Sequence, residues 1–201
     1  DVCSSDLKET YESKRSNYCG TPHSNKFSFD AECVEKNVHN MKRGKAAGLD
    51  GLTVEHIVHS HPAIYVLLSK IFNLLIKYGF VPVDFARSYT VPLSKSSTIT
   101  KSMSVDDFRG ISISPTISKL FESCVLDRYS EFFITADNQF GFKKGLGCSH
   151  AIYSVRCVVS HYIRSGSTVN LCALDLKKAF DKTNHHGLYI QLMKRLIPRN
   201  L

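Results

Sequence analysis

The residue that stands out first is Asp175, which directly follows the run Thr168–Leu174, apolar at nearly every position. Such a run fits a strand buried on both faces, and a carboxylate at the end of a buried strand lies where sheets present catalytic groups. An aspartate there also serves simply as the N-cap of a following helix, and the spacing alone leaves both readings open. Leu174-Asp175-Leu176-Lys177-Lys178-Ala179-Phe180-Asp181 then turns into a helical pattern, with Phe180 five residues after Asp175 and Asp181 at the helix start. A second group is basic. Lys143 and Lys144 follow Gln139-Phe140-Gly141-Phe142 and can meet backbone phosphates, contacts that position a nucleic acid without reading its sequence. Lys42-Arg43-Gly44-Lys45-Ala46-Ala47-Gly48-Leu49-Asp50-Gly51 is basic and glycine-rich. It is not a phosphate loop, because no Gly-Lys-Ser/Thr ends it. His56, His59 and His61 lack a matching Cys/His group, which makes zinc a poor fit.

These residues must be held by a handful of elements. The spacing predicts a short helix over residues 29–41, capped by Asp30, with Val34, Val38 and Met41 in one stripe. Residues 63–78 read as a strong helix (Ile64, Leu67, Leu68, Ile71, Leu74, Leu75, Tyr78), stopped by Gly79 and Pro82. Tyr89–Leu93 is strand-like despite Pro92, which marks an edge or a strand end, and a polar loop, Ser94–Ser104, follows. Ser114 as N-cap and Pro115 at the first helical position open another helix, with Ile117, Leu120, Phe121, Cys124, Val125 and Phe132 on its apolar face. Residues 150–164 form a third amphipathic helix (Ile152, Val155, Val159, Tyr162, Ile163) ended by Gly166, and residues 185–196 return to helical period. Residues 1–26 are polar, without a sustained apolar period. Asp1-Val2-Cys3-Ser4-Ser5-Asp6-Leu7 is similar to a translated sequencing adapter, which would make it foreign to the fold.

Composition bounds the rest. Among 201 residues, 43% are hydrophobic and 22% charged, which excludes wholesale disorder. No apolar run reaches the roughly 18 residues of a membrane span. Lys+Arg 26 against Asp+Glu 18 gives +8, and residues 140–201 hold 10 basic against 2 acidic side chains, the whole of that excess. A local excess of this kind suits a polyanion, nucleic acid above all, or is a solvated face. Seven cysteines, an odd number without a C-x-x-C pair, predict reduced thiols in an intracellular protein. Leu171-Cys172-Ala173-Leu174 uses its cysteine as a small hydrophobe. The chain lacks a starting Met and ends just after a helical pattern, and we expect a fragment.

LDLKKAFDKTNHHGL, residues 174–188, closely resembles motif A of reverse transcriptases from non-LTR (LINE-like, jockey-like) retrotransposons, roughly LDLSKAFDxVNHxxL. Three more stretches match that family in the same order. Ala46-Ala47-Gly48-Leu49-Asp50-Gly51-Leu52 is similar to its A-x-G-x-D-G-[IL] motif. Val91-Pro92-Leu93-Ser94-Lys95 and Asp107-Phe108-Arg109-Gly110-Ile111-Ser112-Ile113 resemble V-x-P-I-x-K and Y-R-P-I-S-L. Asn138-Gln139-Phe140-Gly141-Phe142-Lys143-Lys144-Gly145 resembles the QFGFRxG block. Four blocks in order over about residues 29–196 make a chance match improbable.

The resemblance implies an α/β (α+β) polymerase right hand. Residues 29–166 would be the fingers and 167–201 the start of the palm, with the first palm strand at Thr168–Leu174, truncated before the Y/F-x-D-D hairpin. It implies RNA-directed DNA polymerisation with an RNA template, a DNA primer and deoxynucleoside triphosphates as partners, no membrane, and a location in nucleus or cytoplasm as a ribonucleoprotein. Two Mg²⁺ ions, with Mn²⁺ as an alternative, would be the cofactors. Asp175 would be the catalytic carboxylate and a metal ligand, aided by the Leu176 backbone carbonyl. Lys95 and Arg109 would grip the triphosphate. Phe180 would pack under the incoming sugar and exclude a 2′-hydroxyl, its alternative being a core phenylalanine. Gln139, Lys143 and Lys144 would face the template, and His185 would pack or tether. Gly110 stands where the family has proline, which loosens the backbone after Arg109. One carboxylate cannot hold two ions, so the fragment is expected to need the missing palm and thumb for activity. Two other readings stay open. One is a non-catalytic nucleic-acid-binding remnant of a decayed or domesticated element; the other is a group II intron or retron-type polymerase.

Overall fold

The computed structural model describes residues 4–22, 24–95, 104–176 and 179–201. Most of the loop expected at Ser94–Ser104, and Cys3, Lys177 and Lys178, lie outside the described residues. The elements run α1 (Ser4–Ser16), α2 (Ala31–Asn40), α3 (Val54–Val58), α4 (Ala63–Tyr78), β1 (Tyr89–Ser94), β2 (Phe108–Ile113), α5 (Thr116–Arg128), α6 (Cys148–Arg164) and α7 (His185–Lys194). This is a mixed helix and strand architecture with a small two-stranded sheet among the described residues, compatible with an α+β class. The chain divides into two compact units. One draws on Asp1–Arg15 and Phe133–Gln191, the other on Ser16–Phe132 and Leu192–Leu201.

The second unit holds most of the core. Asp30 caps α2 by accepting from the Cys33 amide at 2.7 Å, so the helix starts where its first orphan donors find an acceptor. Val34 and Val38 are fully buried against α5, where Leu120 and Cys124 are equally buried. Around them Phe29, Phe72, Phe121 and Tyr129 stack edge-on or tilted, with centroids 5.2–6.4 Å apart, the geometry ring quadrupoles favour. Asn73 on α4 clamps Phe29, accepting from its amide at 2.9 Å and donating to its carbonyl at 2.7 Å. The chain entering α2 thus keeps its backbone groups satisfied inside the core. The buried Asn37 is also satisfied: its amide donates to the Cys33 carbonyl at 2.8 Å, and its oxygen accepts from Ser123 at 2.7 Å.

The spacing placed α4 within its observed limits, and Gly79 ends it in the left-handed conformation at φ 59°, as a C-terminal glycine does. Its buried side is Tyr65, Leu68, Ser69, Phe72, Leu75 and Ile76. Leu67, Ile71, Leu74 and Tyr78, expected in the core stripe, are on the exposed side, because α4 is apolar nearly all round and only one side meets α2. The helix after Ser114-Pro115 begins one residue later than expected, with Pro115 as the capping position. Residues 4–16, unassigned by periodicity, form α1, a polar helix with Lys8 and Glu12 one turn apart.

The largest difference is at residues 168–174. No ladder partner pairs with them among the described residues, and Leu171 and Leu174 are 70% and 92% exposed rather than buried on both faces. A strand exists only through its lateral neighbours, and the β1–β2 ladder, the one ladder among the described residues, lies in the other unit. Cys172, read as a buried hydrophobe, is exposed for the same reason. The apolar side of α6 is likewise uncovered: Ile152, Val155, Tyr162 and Ile163 are all exposed.

Candidate functional site

β1 and β2 pair antiparallel, with Leu93 opposite Arg109 and Pro92 opposite Gly110. The ladder continues one rung beyond β1, because the Lys95 amide donates to the Asp107 carbonyl at 2.9 Å. Hydrogen-bonded and non-hydrogen-bonded pairs alternate along such a ribbon. Lys95 with Asp107 and Leu93 with Arg109 are therefore bonded pairs, and Pro92 with Gly110 is a non-bonded one. Pro92 loses no ladder bond, which is how a proline sits inside this strand. Gly110 is held in the ladder between two bonded residues, so the expected loosening after Arg109 does not arise. The register also puts Lys95 and Arg109 on one face of the ribbon as diagonal neighbours, a spacing on the order of 7–8 Å. Arg109 is exposed and makes no ion pair among the described residues. Lys95 turns its ammonium onto the Asp106 carbonyl at 2.5 Å.

The Ala46–Leu52 stretch, one of the matched motifs, is a structural junction beneath this ribbon. A Cβ at Gly48 would lie 2.8 Å from Pro115 Cα, so only glycine lets the loop meet the start of α5. Thr116 Oγ1 donates to the Leu52 carbonyl at 2.7 Å, and Tyr89 Oη donates to the Ala47 carbonyl at 3.0 Å. The motif fastens α5 and β1 to one loop and so fixes the ribbon's base.

The other unit carries Asp175, Phe180, Gln139, Lys143 and Lys144. Asp175 and Leu176 are exposed, and no helix begins at Asp175: residues 179–182 form a turn, and α7 starts at His185. Asp181, read as a helix-start acid, lies in that turn. The cap of α7 is Asn184, whose Oδ1 accepts from the Gly187 amide at 3.0 Å. Exposed His185 is the first residue of α7.

Phe180 is 78% exposed and meets Phe142 edge-on, with centroids 5.9 Å apart. Phe142 was not singled out from the sequence. It is 94% exposed and holds φ at 60°, a conformation rare and costly for an aromatic residue. Two exposed rings in contact beside a strained backbone mark a built feature. The pointer in the sequence was an aromatic between Gly141 and the Lys143-Lys144 pair. Lys143 donates to its own loop at the Ala136 carbonyl, 2.7 Å away, whereas Lys144 is exposed with no ion pair among the described residues. Gln139 donates to the Gly141 carbonyl at 3.3 Å and shapes the turn carrying Phe142.

The Asp175 carboxylate and the Leu176 carbonyl are hard oxygen donors of the kind Mg²⁺ takes. No three His, Cys, Asp or Glu side chains converge among the described residues. These donors are too few for a pair of ions. His56 and His61 serve as local acceptors instead, from the Thr53 and Ala63 amides at 3.0 and 3.1 Å.

No family model matches the chain. Its relatives among curated proteins include the RNA-directed DNA polymerase from mobile element jockey of Drosophila funebris, 25% identical over 179 residues, 84% of this chain and 19% of that protein. The jockey polymerase of Drosophila melanogaster is 25% identical over 178 residues, 85% of this chain and 19% of the relative. The retrovirus-related Pol polyprotein from type-1 retrotransposable element R2 of Nasonia vitripennis is 24% identical over 163 residues, 81% of this chain and 15% of the relative. The chain spans about a fifth of the length of the jockey proteins. With matched motifs in order along the chain, it is similar across most of its length to the RNA-directed DNA polymerases of mobile element jockey and to the Pol polyprotein of a retrotransposable element.

Proposed function

We propose that the chain is the fingers and first palm segment of an RNA-directed DNA polymerase that copies retrotransposon RNA. The observation that carries this reading is the similarity to such polymerases over 84% of the chain. In it, Arg109 presents a planar fork to triphosphate oxygens and Lys95 a compact point charge, and a rigid ladder rather than a loop holds their backbones. Phe180, backed edge-on by Phe142, forms a wall against a ribose 2′-hydroxyl. Lys144, with Gln139 and Lys143 shaping its loop, meets template phosphates. Asp175 would be one of several carboxylates in the complete polypeptide. Divalent ions such as Mg²⁺ or Mn²⁺ supply electrostatic stabilisation of phosphoryl transfer when bound to such a set. The 201-residue chain on its own binds nucleic acid without extending a primer. The lone carboxylate also favours a second reading, a remnant that binds nucleic acid without catalysis.

The test uses a polypeptide carrying this chain together with the further carboxylates. Arg109→Gln should raise the KM for deoxynucleotides about tenfold or more, by loss of charge-assisted bonds. Phe180→Ala should keep deoxynucleotide addition and admit ribonucleotides. An unchanged KM and unchanged sugar selection would overturn the assignment of both residues.

A further inference from the structure

α6 has two unlike sides. One is the apolar stripe of Ile152, Val155, Val159 and Tyr162. The other carries Tyr153, Cys157, Ser160, His161 and Arg164, which at 100° per residue fall on the opposite half of the helix, with Arg156 at the boundary between the two sides. These six line one open groove of about 390 Å³, and Arg156 also borders the apolar groove of Ile152, Val155 and Val159. No acidic residue occurs in the 17 residues of α6, and neither arginine makes an ion pair among the described residues. Arg156 and Arg164 are eight residues apart, about 12 Å along the axis. Tyr153, 69% exposed, stands at the N-terminal end of the same groove.

We propose that this side of α6 is a binding site for a single nucleic-acid strand, with Arg156 and Arg164 on the phosphodiester backbone and Tyr153 stacked against a base. A guanidinium pair on a helix free of acidic residues, with no ion pair among the described residues, attracts a polyanion. An exposed ring at the end of the charged groove supplies the stacking platform that single-strand binders combine with such charge. Ser160 and His161 add hydrogen-bonding groups between the two arginines. The site's residues are other than Lys95, Arg109 and Lys144. It needs no catalysis, so failure of the polymerase reading leaves it standing.

The test is fluorescence anisotropy with the 201-residue chain and fluorescein-labelled 12-mers of uridylate and of thymidylate, titrated at several KCl concentrations, with circular dichroism confirming the fold of each variant. Arg156→Gln with Arg164→Gln should weaken binding about tenfold or more and flatten the log K against log salt slope by about 1.4, two phosphates at about 0.7 each. Arg156→Lys with Arg164→Lys should keep the slope. Tyr153→Leu should weaken binding about tenfold at an unchanged slope, and Tyr153→Phe should not. Equal affinity for the two strands supports recognition of the shared phosphodiester; tighter uridylate supports it with the 2′-hydroxyl read as well. A parental slope in the double Gln variant, or tighter binding of a labelled poly-glutamate 12-mer than of either strand, overturns the proposal.

Discussion

Gly48 and Tyr129 show how single atoms constrain this chain. A methyl group at position 48 would press on the Pro115 backbone at 2.8 Å, and backbone cannot rotate away as a side chain can. Gly48→Ala should therefore cost about 1–3 kcal/mol, read as a lower denaturation midpoint with an unchanged m-value. Tyr129 is wholly buried, and its hydroxyl has no hydrogen-bond partner among the described residues. Burial pushes its phenol up to about 12. Tyr129→Phe removes the unsatisfied oxygen and keeps the stacked ring, so thermal unfolding should show a Tm equal to or above the parent's. A Tm several degrees lower would mean that the hydroxyl has a partner. Gly48 could be picked out in the sequence as part of a matched motif, but its reason could not, because the contact it permits is to a residue 67 positions away. Phe142 was hidden for a related reason: backbone strain and a facing ring are properties of the folded loop.

At the scale of elements, α2 and α5 are joined by paired charges at their rim and by thiols inside. The Cys33 amide and then Arg128 hold the Asp30 carboxyl below its ordinary value, and the Lys36 ammonium does the same for Asp127. Groups lowered in the folded state stabilise it fully above their unfolded values, about pH 3.9 for aspartate. That contribution is lost as the pH falls through the folded values, so Tm should fall below about pH 4. Asp30→Asn keeps the cap and should flatten part of that acid dependence; Asp30→Ala should cost about 1 kcal/mol at neutral pH. Inside, a hydrogen bond with Cys124 lowers the Cys33 thiol and raises that of Cys124. Both are buried, whereas Cys19, Cys148, Cys157 and Cys172 are exposed. A thiol reagent followed by peptide mapping should label the exposed four quickly and the buried pair only as the unit opens. Equal rates would contradict the α2–α5 packing. The helices were legible because their periodicity is long and strong, α4 most of all. β2 was not assigned as a strand, since Phe108–Ile113 has glycine in its middle and owes its state to the ladder with β1. The run at 168–174 failed in the opposite direction: its composition is that of a strand, but the ladder partner a strand needs is absent among the described residues.

For the whole molecule, charge and apolar surface tell one story. Residues 140–201 hold the basic excess of the sequence, and within them one side of α6 and Leu171, Leu174 and Leu176 expose apolar side chains. Exposed apolar surface of that extent marks an interaction face. The proposed polymerase reading rests its chemistry on Asp175. Asp175→Asn keeps size and shape and removes the charge. The decisive measurement is primer extension on an RNA template by a polypeptide that carries this chain and its further carboxylates, with template affinity measured in parallel. Asp175→Asn should abolish nucleotide addition while template binding stays within about twofold of the parent, because phosphate contacts by lysine and arginine would remain. Extension at the parental rate would contradict the catalytic role proposed for Asp175.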